Sequence, residues 1–246
     1  MKKLFALLLC VGMMLTVFAA CGESSDGTDD LIGLKPATSE TSGSDLVSDT
    51  ASGSVASSDT GSSDTGSSDV SGGTGEFALG TVKDLVWENS YIGLGFRGES
   101  GLVYANETEL QQMVGLVSES GILADKEALK NAAVLYDCYA IDQAKQISFN
   151  VILQKGLTIG LKDEDILQQG LESLQGAING SVTGEIADLT VGGKTVKGLD
   201  LTLVANGVTV YEYQFIVKCG GHLAAITVGA ASKSELNEML SSFYWL

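Results

Sequence analysis

The stretch "KTVKGLDLTLVANGVTVYEYQFIVKCGGHLAAITVGA", residues 194–230, decides the fold. Apolar and polar residues alternate through it with a period of two, which is the side-chain period of a β-strand. Asn206-Gly207 and Gly220-Gly221 interrupt the alternation, and such pairs supply the positive φ angles of two-residue hairpin turns. A similar run, 182–191, ends at Gly192-Gly193 just before this stretch. The pattern predicts a four-strand antiparallel meander.

Two sets of alternating side chains mark the apolar faces of the meander. One set lies on the third strand and comprises Tyr211, Tyr213, Phe215, Val217 and Cys219. The other lies on the preceding strand and comprises Leu199, Leu201, Leu203 and Ala205. We expect both sets to form the core of the domain.

Helix signals surround the strands. Asn106 with Glu109, and Ser232 with Glu235, have the spacing of a capping box. Two more helices are predicted to begin near Asp125 and Asp163, and the last helix is predicted to present Leu236, Met239, Leu240 and Phe243 on one face. Short strands around "WENSYIGLGF" and a hairpin of "LYDCYAID" with "ISFNVILQK" complete the order. It predicts an α+β domain over residues 77–246, with one antiparallel sheet and helices packed on one face.

The N-terminus has the layout of a secretory signal. Lys2 and Lys3 precede an apolar region at residues 4–18. Phe18-Ala19-Ala20-Cys21 resembles the lipobox of bacterial lipoproteins, although Phe18 stands where an aliphatic residue is usual. The resemblance implies a signal peptide over residues 1–20, cleavage before Cys21, a diacylglyceryl group on the Cys21 thiol, and attachment to the outer face of the cell membrane. An ordinary secretory signal and an uncleaved membrane anchor are the alternatives.

Residues 22–76 consist mainly of Ser, Asp, Gly and Thr, and "SSD" repeats three times at a spacing of five. Such a segment has almost no apolar side chains to bury, so it cannot offset the entropy of ordering its chain. We interpret residues 21–76 as the lipidated cysteine followed by a disordered acidic linker. A calcium loop is a poor match, because no glutamate closes the repeat.

Charge limits the classes of partner. The linker carries 11 acidic residues and one lysine, and residues 77–246 carry 20 acidic and 11 basic residues. Since both parts are acidic and the basic residues are scattered, nucleic acid is excluded as a partner. The expected partners are the membrane, through the lipid on Cys21, and an envelope protein.

At residues 80–246, "WENSYIGLGF", "NETELQQM" and the glycine-separated meander resemble a group of uncharacterised lipoproteins of Gram-positive bacteria. Their domain is similar to the PsbP/Mog1/DcrB-type α+β fold. The group often has a Gly-Trp pair after the first hairpin, which "FRGESGLVY" lacks. The resemblance implies fold and location, and it brings no catalytic or cofactor residues.

His222 and Cys219 are the most reactive pair in the sequence. They could act as a thiol nucleophile and its base, or as half of a metal site. Since His222 is the single histidine, no second one completes a zinc site. A Ser–His–Asp triad would also need His222, and the sequence has no GxSxG motif for its serine. Strand alternation across the turn predicts Cys219 in the core and His222 at the rim. We therefore predict no catalytic, metal or cofactor residues.

Other reactive side chains have structural explanations. Glu107, Glu109 and the acidic run 163–165 lie at predicted helix starts, where negative charge is stabilised by the helix dipole. Cys138 and Cys219 could form a disulfide outside the cytoplasm or remain free thiols. The aromatic residues that could line a sugar or peptide groove, and that are more often core or rim residues, are Trp87, Tyr91 and Tyr104.

Three functions remain open at this level. The leading hypothesis is a membrane-anchored lipoprotein with a non-catalytic domain that binds a partner or assists an envelope complex. The alternative is a solute-binding lipoprotein of a transporter, although about 170 residues with one meander do not predict two lobes. An envelope hydrolase is the third, and the single histidine disfavours it.

Overall fold

The computed structural model describes residues 72–73, 75–116, 124–156, 160–177, 181–205 and 207–246. The predicted signal peptide, Cys21 and nearly all of the predicted linker lie outside these ranges. Gly72 and Gly73, within the predicted linker, donate backbone hydrogen bonds to the carbonyls of Lys218 and Ile92. In the described ranges, no helix has both the length and the apolar character needed to cross a membrane.

Eleven strands and four helices make up the described domain. The strands are β1 (Thr81–Lys83), β2 (Val86–Asn89), β3 (Leu94–Arg97), β4 (Val103–Tyr104), β5 (Val134–Asp142), β6 (Ile147–Lys155), β7 (Val182–Val191), β8 (Lys194–Ala205), β9 (Val208–Cys219), β10 (His222–Ala230) and β11 (Phe243–Trp245). The helices are α1 (Glu107–Met113), α2 (Lys126–Asn131), α3 (Asp163–Ala177) and α4 (Lys233–Ser241). The strands form two antiparallel sheets, in the orders β1-β2-β3-β11 and β4-β5-β6-β10-β9-β8-β7.

The predicted meander is confirmed as β7, β8, β9 and β10. Its three hairpins end at the pairs Val191–Lys194, Ala205–Val208 and Cys219–His222. Two residues connect the members of each pair. Gly192, Gly193, Gly207 and Gly220 have φ of 54°, 82°, 81° and 52°, values at which a Cβ atom is strained. Asn206 lies outside the described residues.

Two predicted helix caps, at Asn106 and Ser232, and the predicted helix start at Asp125 are confirmed. The Asn106 side chain accepts from the Glu109 amide while the Glu109 carboxylate accepts from the Asn106 amide, a complete capping box. The side chains of Asp125 and Ser232 accept from the backbone amides of Ala128 and Glu235. These local signals set the starts of α1, α2 and α4.

The larger sheet is covered on both faces, which differs from the expectation of helices on one face. Leu199 pairs with Gln214, and Phe215 pairs with Gly198, and paired residues share a face of the sheet. The two predicted apolar sets therefore lie on different faces. The Leu199 side packs with α1 and α3, and we call it the helix face. The Phe215 side packs with the smaller sheet and α4, and we call it the small-sheet face.

A buried aromatic cluster joins the two sheets. The Phe149 ring lies 4.5 Å from the Phe96 ring and 5.5 Å from the Trp87 ring, centre to centre. Phe243, predicted to lie on the last helix, belongs to β11 instead and pairs with Phe96. Helix α4 ends at Ser241 because the chain returns to the edge of β3, where Phe243 completes the aromatic cluster.

Candidate functional site

His222 is a structural residue of the small-sheet face. It was predicted at the rim, but it is 3% exposed, because a two-residue turn places it directly opposite Cys219 on the same side of the sheet. Burial lowers the pKa of His222, so its ring is neutral. The Nε2 atom lies 3.2 Å from the Lys130 carbonyl, to which it donates, and Nδ1 lies 2.8 Å from the Tyr91 hydroxyl. Both ring nitrogens are therefore occupied, and His222 is not positioned as a base for the Cys219 thiol.

Cys138 and Cys219 are buried free thiols, which decides the alternative left open by the sequence. Burial raises the pKa of Cys138 well above its ordinary value and that of Cys219 to about 12. Neutral buried thiols are poor nucleophiles, because the thiolate is the reactive form. Among the described residues, no three His, Cys, Asp or Glu side chains are placed to hold a metal ion.

The other candidates from the sequence are also structural. The Glu109 carboxylate completes the α1 cap, and Asp163 lies 2.7 Å from the Lys218 ammonium at the start of α3. Trp87 and Tyr91 are buried in the core, and the Tyr104 hydroxyl donates to the Leu85 carbonyl. The structure therefore does not assemble these three aromatic side chains into an open groove.

Asp137 is a fully buried carboxylate that holds the two sheets together. It occupies a bulge in β5, where the pairing with β6 shifts between Tyr136 and Cys138. Its oxygens accept from the Gly80 amide at 2.7 Å, the Asn89 side-chain amide at 2.9 Å and the Trp87 indole at 3.1 Å. Burial outweighs these three hydrogen bonds and raises the pKa of Asp137 to about 6.

A row of polar side chains crosses the centre of the helix face. Asn150 on β6, Thr227 on β10 and Gln214 on β9 are lateral neighbours in the sheet register. Gln154 lies on the same face of β6, four residues and so about 13 Å from Asn150. We call these four residues the polar floor.

The polar floor lies between two helices. Helix α1 packs chiefly on β5, and α3 packs chiefly on β7 and β8. Four strand steps separate β5 from β8, which corresponds to about 19 Å. Two helices in contact lie only about 8–10 Å apart, so α1 and α3 do not contact each other across β6, β10 and β9, and we call this part of the helix face the groove. Its margins are covered, because α1 packs with Ile152 on β6 and α3 packs with Ile216 on β9 and Leu223 on β10.

The polar floor lacks the hydrogen bonds that buried amides normally make. Asn150 and Gln154 are 1% and 3% exposed, and neither atom of either amide has a hydrogen-bond partner in the described part of the chain. Gln214 donates to the Thr227 hydroxyl at 3.2 Å, but its Oε1 atom is unpaired there. Beside the floor, the Tyr136 hydroxyl and both amide atoms of Gln111 are also buried and unpaired. Since most buried polar groups in proteins are paired, this concentration on one face marks the groove as a candidate binding site.

The groove is polar with little net charge on its floor. The floor consists of three amides and one hydroxyl, and the buried Glu212 lies one row further along β9. Lys218 lies at the opposite end, where its ammonium contacts the Asp163 carboxylate and donates to the Leu161 carbonyl at 2.7 Å. Burial, with a smaller contribution from Tyr139, raises the pKa of Tyr136 to about 12, so its hydroxyl remains a donor at neutral pH. Next to Glu212, a small cavity of about 30 Å³ is lined by Ser148, Gly229 and Val208 among others.

Sequence reasoning missed the polar floor, although one signal was present. The predicted strand at "ISFNVILQK" has an apolar set at Ile147, Phe149, Val151 and Leu153, and the opposite phase carries Asn150, Ile152 and Gln154. An exposed outer face explains that phase equally well. Only the pairing of β6 with β10, and of β10 with β9, shows that the polar residues of three strands form one row.

No family model and no curated protein matches the chain, so the resemblance to lipoproteins of Gram-positive bacteria stays a prediction. Solved structures that are distantly similar include the following two. A protein of unknown function from Pseudomonas aeruginosa, PA94, is 13% identical with a TM-score of 0.28, and the match covers 37% of this chain and 63% of that chain. LpqN of Mycobacterium tuberculosis, involved in cell envelope biogenesis, is 14% identical with a TM-score of 0.33, and the match covers 61% of this chain and 76% of that chain.

Proposed function

We propose that this protein is a non-catalytic binding lipoprotein of the bacterial envelope, attached to the outer face of the cell membrane through lipid on Cys21. The single observation that carries the binding role is the polar floor, whose buried amides have no partner within the described part of the protein. An unpaired buried polar group costs about 1–3 kcal/mol, and a ligand that supplies the missing hydrogen bonds recovers that energy on binding. Such a ligand would lie over the polar floor, between α1 and α3.

The arrangement of the chain supports the same proposal. A diacylglyceryl group supplies two acyl chains, and two chains are enough for stable attachment to a membrane. An acidic linker then holds the domain away from an acidic surface, so the domain is free to meet other components of the envelope. Burial holds the ring of His222 and the thiols of Cys138 and Cys219 neutral, so these three residues do not provide an activated thiol and its base, which supports a non-catalytic role.

Photo-cross-linking on intact cells tests the binding role. A photoreactive residue at Val208, which lines the small cavity beside Glu212 and is 38% exposed, should give adducts. The matched control is the same residue at Val82, which is 45% exposed on β1 of the smaller sheet. Adducts of any chemical class at Val208 and not at Val82 support binding through the groove. Equal yields at both positions, or no adduct at Val208, contradict it.

A solute-binding lipoprotein of a transporter is the alternative. It also uses the groove, and it predicts a freely diffusing small molecule as the ligand instead of a component fixed in the envelope. Extensive washing of the cells before illumination distinguishes the two, because it removes a small solute and leaves a fixed ligand in place.

A further inference from the structure

We propose that the groove between α1 and α3 binds a neutral saccharide, whose hydroxyl groups pair with the amides of Asn150, Gln154 and Gln214. This proposal rests on the binding role proposed above and adds the chemical class of the ligand.

The chemistry of the unpaired atoms favours hydroxyl groups. Each unpaired amide at Asn150 and Gln154 offers both an acceptor oxygen and a donor NH₂ group, and Gln214 adds an acceptor oxygen. A ligand must therefore donate and accept at closely spaced positions. Saccharide hydroxyl groups do both, and each can rotate to match the partner that it meets.

The lack of basic side chains on the polar floor disfavours anionic ligands. None of its four residues is basic, and Lys218, on the neighbouring part of β9, already contacts Asp163 and the Leu161 carbonyl. The domain over residues 77–246 also has more acidic than basic residues, 20 against 11. Phosphate-rich polymers and acidic peptides would be repelled at this site.

The geometry disfavours a peptide. A peptide that adds to a sheet pairs with the backbone of an edge strand, whereas the polar floor lies on three central strands. A helical peptide satisfies its backbone groups internally, so it could reach the amides only with its own side chains. The floor also alternates in character, because Ile152, Ala225 and Ile216 form an apolar row between Asn150 and Gln154. A sugar ring, with hydroxyl groups on its edge and C–H groups on its face, fits this alternation.

Tyrosines line the α1 side of the groove. Tyr136 is a lateral neighbour of Ile152, and Tyr139 is a lateral neighbour of Asn150, so both lie on the helix face. Tyrosine combines an apolar ring with a polar tip, which allows contact with both parts of a sugar.

The test is calorimetric titration of the mature, lipidated protein in a zwitterionic detergent without a sugar headgroup. The probes are tetra-N-acetylchitotetraose, maltotetraose, tetra-alanine and glycerol phosphate. We expect at least one of the two saccharides to bind, and neither tetra-alanine nor glycerol phosphate to do so. Asn150→Leu and Gln154→Leu should each weaken saccharide binding at least tenfold while the thermal midpoint stays the same or rises.

The matched control is Gln112→Leu on α1, which removes an exposed amide next to the groove. It should bind saccharide as the unchanged protein does. Binding of neither saccharide by the folded protein at ~10 mM, a concentration at which even weak millimolar binding is detectable, overturns the proposal. Saccharide binding that survives both Asn150→Leu and Gln154→Leu also overturns the proposal. Binding of tetra-alanine alone overturns the assignment of the ligand as a saccharide. If adducts form at Val208 and not at Val82 but the titration shows no saccharide binding, the proposed binding role stands and only the saccharide as ligand is rejected.

Discussion

Replacing Asp137 with asparagine should change how the stability of this protein depends on pH. The carboxylate is buried beneath the Gly80 amide, the Asn89 side chain and the Trp87 indole. Its pKa in the folded state is about 6, against an ordinary value of 3.8. Because the folded state holds the proton more tightly than the unfolded state, protonation of Asp137 favours folding.

The magnitude follows from the two pKa values. Each unit of pKa difference between the folded and unfolded states corresponds to about 1.4 kcal/mol. The contribution of Asp137 to the free energy of unfolding is therefore highest below pH 3.8, and it falls by about 3 kcal/mol as the pH rises through 6. Most of this change lies between about pH 4 and about pH 7.5.

The amide of the Asp137→Asn variant would remain neutral throughout this range, so its contribution would not change. It would carry a constant penalty of about 1–3 kcal/mol, because its NH₂ group must face one of the three donors. The free energy of unfolding of the unchanged protein, relative to that of Asp137→Asn, should consequently fall by about 2–3 kcal/mol between those two pH values. At neutral pH the two effects nearly cancel, which makes the pH profile more informative than any single measurement.

Urea unfolding at a series of pH values, followed by the fluorescence of the two tryptophans, Trp87 and Trp245, measures this difference. The control is Asp188→Asn, which removes an exposed carboxylate paired with Lys197 at 2.8 Å. An exposed pair of this kind contributes about 0–1 kcal/mol. Parallel pH profiles for the unchanged protein and Asp137→Asn would show that the three hydrogen bonds, and not burial, decide the pKa of Asp137.

Three further predictions concern the turn, the linker and the anchor. Gly207→Val should lower the free energy of unfolding by about 1 kcal/mol or more in urea unfolding, because Gly207 has φ of 81°; Gly221→Ala, where an added Cβ meets nothing within 4 Å, is the control. Deleting residues 40–70 should leave the thermal midpoint within error, since Gly72 keeps its bond to the Lys218 carbonyl, and a large decrease would show that the segment packs on the domain. Mass spectrometry of native protein should find an N-terminal peptide that starts at Cys21 and carries a diacylglyceryl group, and Cys21→Ala should leave the precursor uncut; an unmodified Cys21 thiol in the mature protein would contradict the anchor.

Local sequence signals predicted most of the elements of the domain. The caps at Asn106, Asp125 and Ser232 and the hairpin glycines each act within a few residues, so their effects can be inferred without knowledge of the rest of the chain. Strands β4 and β11 are two and three residues long and have no such signal. Each forms because a longer strand, β5 or β3, presents its edge to the chain.

The bulge at Asp137 shows why neither this carboxylate nor the position of Tyr139 beside the polar floor could be predicted. Strict alternation would place Leu135, Asp137 and Tyr139 on one face of β5. The shift in pairing instead places Leu135 and Cys138 opposite Leu153 and Val151, both on the small-sheet face. Asp137 is then free to accept hydrogen bonds from the smaller sheet. A register shift of this kind depends on contacts between distant segments, and no short window of sequence contains them.

The two faces of the larger sheet differ in how well their buried groups are satisfied. On the small-sheet face the central rows are apolar, and the polar groups at its margin, Asp137 and His222, have hydrogen-bond partners. On the helix face, Asn150 and Gln154 are equally buried and have none among the described residues. Leucine at either position would remove that cost. The apolar rows beside these two positions show that apolar side chains are compatible with the fold there. The stability of the domain thus gives no reason for amides at these two positions, whereas a ligand bound between α1 and α3 does.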